Sequence, residues 1–111
     1  MENTIRKLFR DYNTTDPVEI LNQMGVKIHF VNAARDAWFG AAVFDAKEDE
    51  YMVLINTYHP AQKQHETYIH ELGHILLQHF KIMKKEGSDI NIVEREADTF
   101  TRIYLQLERE M

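Results

Sequence analysis

The stretch ETYIHELGHILLQHF, residues 66–80, sets His70, Glu71 and His74 in the order H-E-x-x-H. If it is helical, His70 and His74 stand one turn apart and about 40° round the axis, so both imidazoles can reach one ion. Neutral imidazole nitrogens suit Zn2+, and Glu71, roughly 100° from His70, can flank that ion without binding it. A carboxylate so placed can take a proton from a water molecule that the metal acidifies. The same triplet also fits a plainer reading, two surface histidines on a helix with no metal. A third protein ligand would separate the two.

VEREADTF, residues 93–100, supplies candidates. Glu94 and Asp98 are four apart and share one helical face, beside a stripe of Val93, Ala97 and Phe100 that reads as buried. A carboxylate at the edge of an apolar stripe can turn inward to a metal. Asp98, one turn on, can accept the N–H of a ligating histidine and set its tautomer. Glu96, on the opposite edge of the stripe, competes for the third position; Glu94 is preferred because only it has an acidic partner on its own face. The other histidines read as surface or packing residues. His65 and His79 project from the side of the long helix opposite His70, His29 points outward from a predicted strand, and His59 precedes Pro60 in a loop.

The elements that must position these groups follow from pattern. Residues 2–12 form an amphipathic helix with Ile5, Leu8, Phe9 and Tyr12 on one side. TTDPVEILNQMG carries helix signals: Thr15 or Asp16 as N-cap, Pro17 in the first turn, Gly25 as a left-handed stop. VKIHFV (26–31) alternates like a half-buried strand, and WFGAAVF (38–44) and YMVLI (51–55) read as two more, joined by the acidic turn DAKEDE. Pro60 opens a long helix to about Phe80, with Tyr68, Leu72, Ile75 and Leu76 packing inward. KKEGSD (84–89) reads as a loop. Ile90, Val93, Ala97, Phe100, Tyr104 and Leu107 mark a last helix. The order α, α, β, β, β, α, α predicts an α+β domain, a small, mostly antiparallel three-stranded sheet packed with helices, with residues 1–111 as a single domain.

Composition narrows the chemistry further. The 111 residues hold 44% hydrophobic residues, enough for one core. No cysteine is present, so any metal must be held by His, Asp or Glu. With 18 acidic against 13 basic residues the net charge is −5, the wrong sign for a nucleic-acid phosphate binder, and IRKLFR and FKIMKK read as solvated helix ends. No apolar run approaches the roughly 20 residues of a membrane helix, and the start of the sequence lacks a signal-peptide core. The expectation is a cytoplasmic protein.

MVLINTYHPAQKQHETYIHELGHILLQHF followed by VEREADTF resembles the ImmA/IrrE family of small zincin metallopeptidases of bacteria and their phages. That family has a strand ending in Asn, an HELGH helix, and a later helix with the pattern E-x-E-A-[ND]-x-F. The resemblance runs from about Gly25 to Tyr104 and is strongest over 52–56, 67–79 and 94–100. It implies that His70, His74 and Glu94 bind zinc, that Glu71 is the catalytic base, and that Asp98 supports the ligands. It further implies a protein substrate, a helix-turn-helix repressor of a phage or mobile element, cut in the cytoplasm of a bacterial host. Two departures concern substrate docking rather than the metal. His65 and Glu66 stand where members carry an Arg and an apolar residue, and FTRIYLQLEREM replaces a longer C-terminal region.

The expected reaction is peptide hydrolysis, with Tyr58, His59 and Tyr104 as candidates to steady the oxyanion and an exposed sheet edge as the seat of an extended substrate. A non-catalytic antirepressor or toxin–antitoxin-type binding partner is the alternative, and a zinc hydrolase of a non-peptide substrate is a third.

Overall fold

A computed structural model of the protein describes residues 1–33, 38–78 and 90–111. Helix α1 (Glu2–Tyr12) buries Ile5, Leu8 and Phe9, the i, i+3, i+4 face of its amphipathic pattern. It stops at Asn13, whose left-handed backbone (φ 54°) closes the last turn. Helix α2 (Pro17–Gln23) starts where Asp16 Oδ1 accepts the Val18 N–H at 3.0 Å. Asp16, of the two candidates, is therefore the cap, and Pro17 sits in the first turn, where its missing N–H costs nothing. Gly25 follows with φ +79°.

Three strands form one sheet in the order β1–β3–β2: β1 (Lys27–Val31), β2 (Gly40–Asp45) and β3 (Glu50–Asn56). β2 and β3 pair antiparallel across the acidic turn, Gly40 opposite Ile55 and Asp45 opposite Glu50. β1 pairs parallel with β3, Lys27 opposite Met52 and Val31 opposite Asn56. The sheet is therefore mixed rather than mostly antiparallel. Alternation of apolar residues marks which face of a strand is buried and carries no information about the direction of its neighbour.

The reason for the mixed pairing lies at the C-terminal end of β3. The chain leaves β1 and enters β2 at that same end on opposite sides of β3, so it must cross from one side of β3 to the other. Asn56, fully buried, ties both legs of the crossing: its Oδ1 accepts the Ala33 N–H at 3.1 Å and its Nδ2 donates to Trp38 O at 2.8 Å. Its Oδ1 also accepts the Tyr58 N–H at 3.1 Å, and its own N–H donates to Phe39 O. A side-chain amide that meets three backbone groups here holds the two legs to the end of β3.

Helix α3 (Ala61–Leu76) begins after Pro60, as expected, and ends earlier than Phe80; Gln78, at φ 57°, takes the left-handed turn that closes it. Helix α4 (Ile90–Glu110) buries Val93, Ala97, Phe100, Tyr104 and Leu107 and runs a turn past the predicted Leu107. These five join Ile20, Leu21, Val53, Ile55, Ile69 and Leu72 in the interior. Each large apolar side chain fully buried is worth about 1.5–3 kcal/mol, so this stripe is what holds α4 in place. The 84–89 loop and His79 lie outside the described residues. Among the described residues no helix is long and apolar enough to cross a membrane.

Candidate metal centre

Helix α3 carries the H-E-x-x-H triplet with Glu71 and His74 buried and His70 partly so. The other half of the site arrives on α4 because Gly73 lets that helix come close. A Cβ at Gly73 would stand 2.9 Å from Phe100 Cδ1 and 3.1 Å from Cγ, so Phe100 rests on bare backbone. With Phe100 seated there, Glu94 and Asp98 on the neighbouring face of α4 are brought against the histidines.

The resulting geometry is tight. His70 Nε2 and His74 Nε2 are 3.2 Å apart. Glu94 spans them, Oε2 at 3.2 Å from His70 Nε2 and Oε1 at 3.1 Å from His74 Nε2. Asp98 Oδ1 lies 3.3 Å from the other ring nitrogen of His70, Nδ1. The four residues therefore sort into a converging trio and a partner behind it. Glu96 does not line the groove in which they lie.

Does a metal fit? Bonds of about 2.0–2.1 Å to a tetrahedral ion put its ligand atoms roughly 3.3–3.4 Å apart. The three separations between His70, His74 and Glu94, at 3.1–3.2 Å, lie just below that range, a small side-chain adjustment away from it. Two imidazole nitrogens facing each other have one shared need, a cation or a proton between them, and the carboxylate adds the negative charge a divalent cation favours. The histidines and Glu71 also offer ligand atoms within 4.8 Å of one another, so the group can hold an ion by either carboxylate. An Asp98 hydrogen bond to His70 Nδ1–H would leave the Nε2 lone pair pointing at the centre.

Glu71 is set apart by its surroundings. It is only 6% exposed. Burial, reinforced by the charge of Glu94, pushes its carboxyl up to about 7, while a hydrogen bond from the Ala42 backbone N–H pulls the other way. That bond comes from β2, an edge strand of the sheet, which Gly40 lets approach α3. A Cβ there would stand 2.5 Å from Thr67 Cγ2 and 2.7 Å from Leu54 O. Glu71 is thus a buried carboxyl poised to gain or lose a proton near neutrality, beside a candidate cation site.

A cavity of about 810 Å3 opens over these residues. One wall is Phe39 to Ala42 of the edge strand, the floor is α3 from Lys63 to His74, and the far wall is α4 from Glu94 to Arg109. An arrangement of two histidines, a buried carboxyl and a bridging carboxylate beside an edge strand suits hydrolysis of an extended chain.

The family model of peptidase M78, the IrrE N-terminal-like domain, matches residues 22–111. The chain belongs to the IrrE N-terminal-like peptidase family. No curated protein and no solved structure gave a significant match to it. Among the described residues of the family domain the H-E-x-x-H triplet is a group that can hold a metal, consistent with a metallopeptidase type of site.

The remaining candidates lie elsewhere. The Tyr104 hydroxyl donates to Thr15 O at 2.6 Å inside the core, where burial holds it well above the usual phenol range; it faces away from the groove. Tyr58 is half exposed and packs edge-on against His59. His59 lies behind the groove wall, its Nε2 3.0 Å from Trp38 O and its ring 4.5 Å from that of Phe39. None of the three lines the cavity. His65 pairs with Glu108 at 2.8 Å, and His29 is exposed on β1. Residues absent from the expectations are Thr101, Arg102, Leu105 and Arg109, which continue the Glu94–Asp98 face of α4 along the cavity. The signal was present: 94, 98, 102, 105 and 109 follow helical spacing.

Proposed function

We propose that the protein is a zinc metalloendopeptidase that cuts an extended segment of another protein. His70, His74 and Glu94 are the metal ligands, Glu71 is the general base, and Asp98 orients His70. One observation carries this: both oxygens of Glu94 lie 3.1–3.2 Å from two imidazole nitrogens that are themselves 3.2 Å apart. Family membership supports the peptidase class.

A zinc ion bound there would polarise the scissile carbonyl and bring the pKa of a water towards about 7. The chain's residues supply the rest. The β2 edge, where the Ala42 N–H is engaged by Glu71, offers its other backbone groups to an extended peptide, laying its carbonyl across the triad. Glu71 accepts a proton as the water oxygen attacks the carbonyl carbon, and its low-polarity pocket keeps that proton from bulk solvent. It then returns the proton to the amide nitrogen as the C–N bond breaks. Asp98 keeps the ring of His70 from turning as charge moves through the site.

The substrate proposed is a helix-turn-helix repressor of a phage or mobile element, cleaved in the bacterial cytoplasm; the supporting observation is the family motif pair. The test mixes purified protein with the repressor of a neighbouring gene, with parent and Glu71→Gln in parallel. Shortening of the repressor by the parent, lost in Glu71→Gln while zinc content stays, is the expected result. An intact stoichiometric complex with both proteins would instead identify a non-catalytic antirepressor. Equal cleavage by the two would rule out the role given to Glu71.

A further inference from the structure

The cavity extends well past the metal centre, and its character changes along the way. Its acids crowd at one end, where Glu71, Glu94 and Asp98 meet the histidines. The other arm carries Lys63, Arg102 and Arg109, with Phe39 and Leu105 between them and Glu66 at the side. The protein carries a net charge of −5, yet this one arm of the groove gathers three cations.

Their charge is available. Arg102 and Arg109 have no carboxylate partner among the described residues, the Arg109 Nε–H donating only to Leu105 O at 3.3 Å. By contrast Arg6, Lys7 and Lys27 are each held at 3.0 Å or less by Glu2, Asp11 and Glu50. Lys63 stands 4.1 Å from the centre of the Phe39 ring and only loosely, at 3.8 Å, from Glu66. The nearby Glu108 is engaged by His65 at 2.8 Å. The arm is thus lined by cations set over apolar surface, which suits a carboxylate borne on a peptide.

Helix geometry gives the reach. Arg102 is one turn beyond Asp98, about 6 Å along α4, and Arg109 is about 16 Å along it. An extended peptide advances about 3.3 Å per residue, so these lie roughly two and five residues from a bond held at the metal centre.

We infer that this arm of the groove is a specificity subsite for acidic side chains of the bound peptide, with Arg102, Arg109 and Lys63 as its specificity-determining residues. The inference rests on the peptidase reading of the same site, since it takes the groove to hold an extended peptide. It narrows the substrate class to segments with Asp or Glu two to five residues to one side of the cut.

The test uses decapeptides of Ser, Ala and Leu in which one position at a time carries Glu, Gln or Lys. Zinc-loaded parent protein is assayed for cleavage of each, and Glu71→Gln for binding of the same peptides bearing a neutral dye, by fluorescence anisotropy. Glu peptides should bind about 3–10-fold more tightly than their Gln counterparts at positions on one side of the centre, an advantage that shrinks as salt rises past ~0.1 M. The double change Arg102→Glu with Arg109→Glu, at exposed positions, should turn the preference to Lys. Arg10→Glu with Lys47→Glu, an equal change in net charge away from the groove, should leave it as it was. Peptides that fail to bind, ratios within twofold at every position, or reversal by the control pair as well, would each overturn the subsite. Acid-selective binding with no cleavage by the parent would sink the peptidase reading while leaving the subsite in place. Cleavage without acid preference would do the opposite.

Discussion

Gly73→Ala is the sharpest perturbation of the joint between the two helices that build the site. The added Cβ would stand 2.9 Å from Phe100 Cδ1, 3.1 Å from Cγ and 3.4 Å from its Cβ. Carbon atoms rest comfortably at about 3.5–4.0 Å, so relief requires a shift of roughly 0.6–1 Å. Phe100 is fully buried, its ring 5.9 Å from that of Tyr104, so it has little room to turn alone. Most of the relief must come from separating α4 from α3. In an exposed helix Gly→Ala would gain about 1 kcal/mol; here overpacking of about 1–3 kcal/mol opposes it. A net loss near 1 kcal/mol lowers Tm by ~4–8 °C. The larger effect falls on the site. Moving α4 by that distance takes Glu94 from 3.1–3.2 Å to about 4 Å from the imidazoles, wider than the roughly 3.3–3.4 Å that a tetrahedral ion sets between its ligands. Zinc affinity should fall at least about tenfold. Competition against a chromophoric chelator measures it, with thermal unfolding of the chelated protein alongside. A variant that is more stable than the parent and binds zinc equally well would show that the close approach of Phe100 does not set the site.

Asp98→Asn keeps the shape and removes the charge facing His70 Nδ1; zinc affinity should drop about 10–100-fold in the same competition assay with little change in stability. In metal-free protein, Glu71 should make stability fall as pH rises. Its native carboxyl titrates at about 7 against an ordinary 4.5, so the unfolded chain holds fewer protons through that window and ionisation favours unfolding. Urea unfolding at the two ends of that range should show the parent losing up to about 3 kcal/mol relative to Glu71→Gln; parallel curves would contradict the burial argument. Asn56→Ala strips the crossing of β3 of its side-chain partners and should cost about 2–4 kcal/mol in urea unfolding, since the Ala33 and Tyr58 N–H groups and Trp38 O lose them together.

How far could these features be foreseen? The helices and strands were legible because each is a local pattern: Ile5, Leu8 and Phe9 recur at helical spacing, and Val53 and Ile55 at strand spacing. The H-E-x-x-H triplet was legible for the same reason, since the turn of one helix fixes the relation of His70 to His74. Helix ends were less so. Asn13 and Gln78 close α1 and α3 in a left-handed conformation that glycine would have advertised and they do not. The Tyr104 hydroxyl, a plausible catalytic group by type, turned out to be spent on Thr15 O, a partner 89 residues away.

Spacing along one helix sufficed to align two imidazoles and to put a carboxylate beside them, because the α-helix repeats by rule. It also ranked Glu94 above Glu96 by face. Everything that joins separate segments came from packing. The bare backbone of Gly73 under Phe100 draws α4 in, and the Glu94 oxygens meet both rings only as a result. The crossing tied by Asn56 sets β1 parallel to β3 and leaves β2 at the edge, where its Ala42 N–H reaches Glu71. Such distances depend on side-chain volumes and backbone partners far apart in the chain, and no periodicity within one element encodes them.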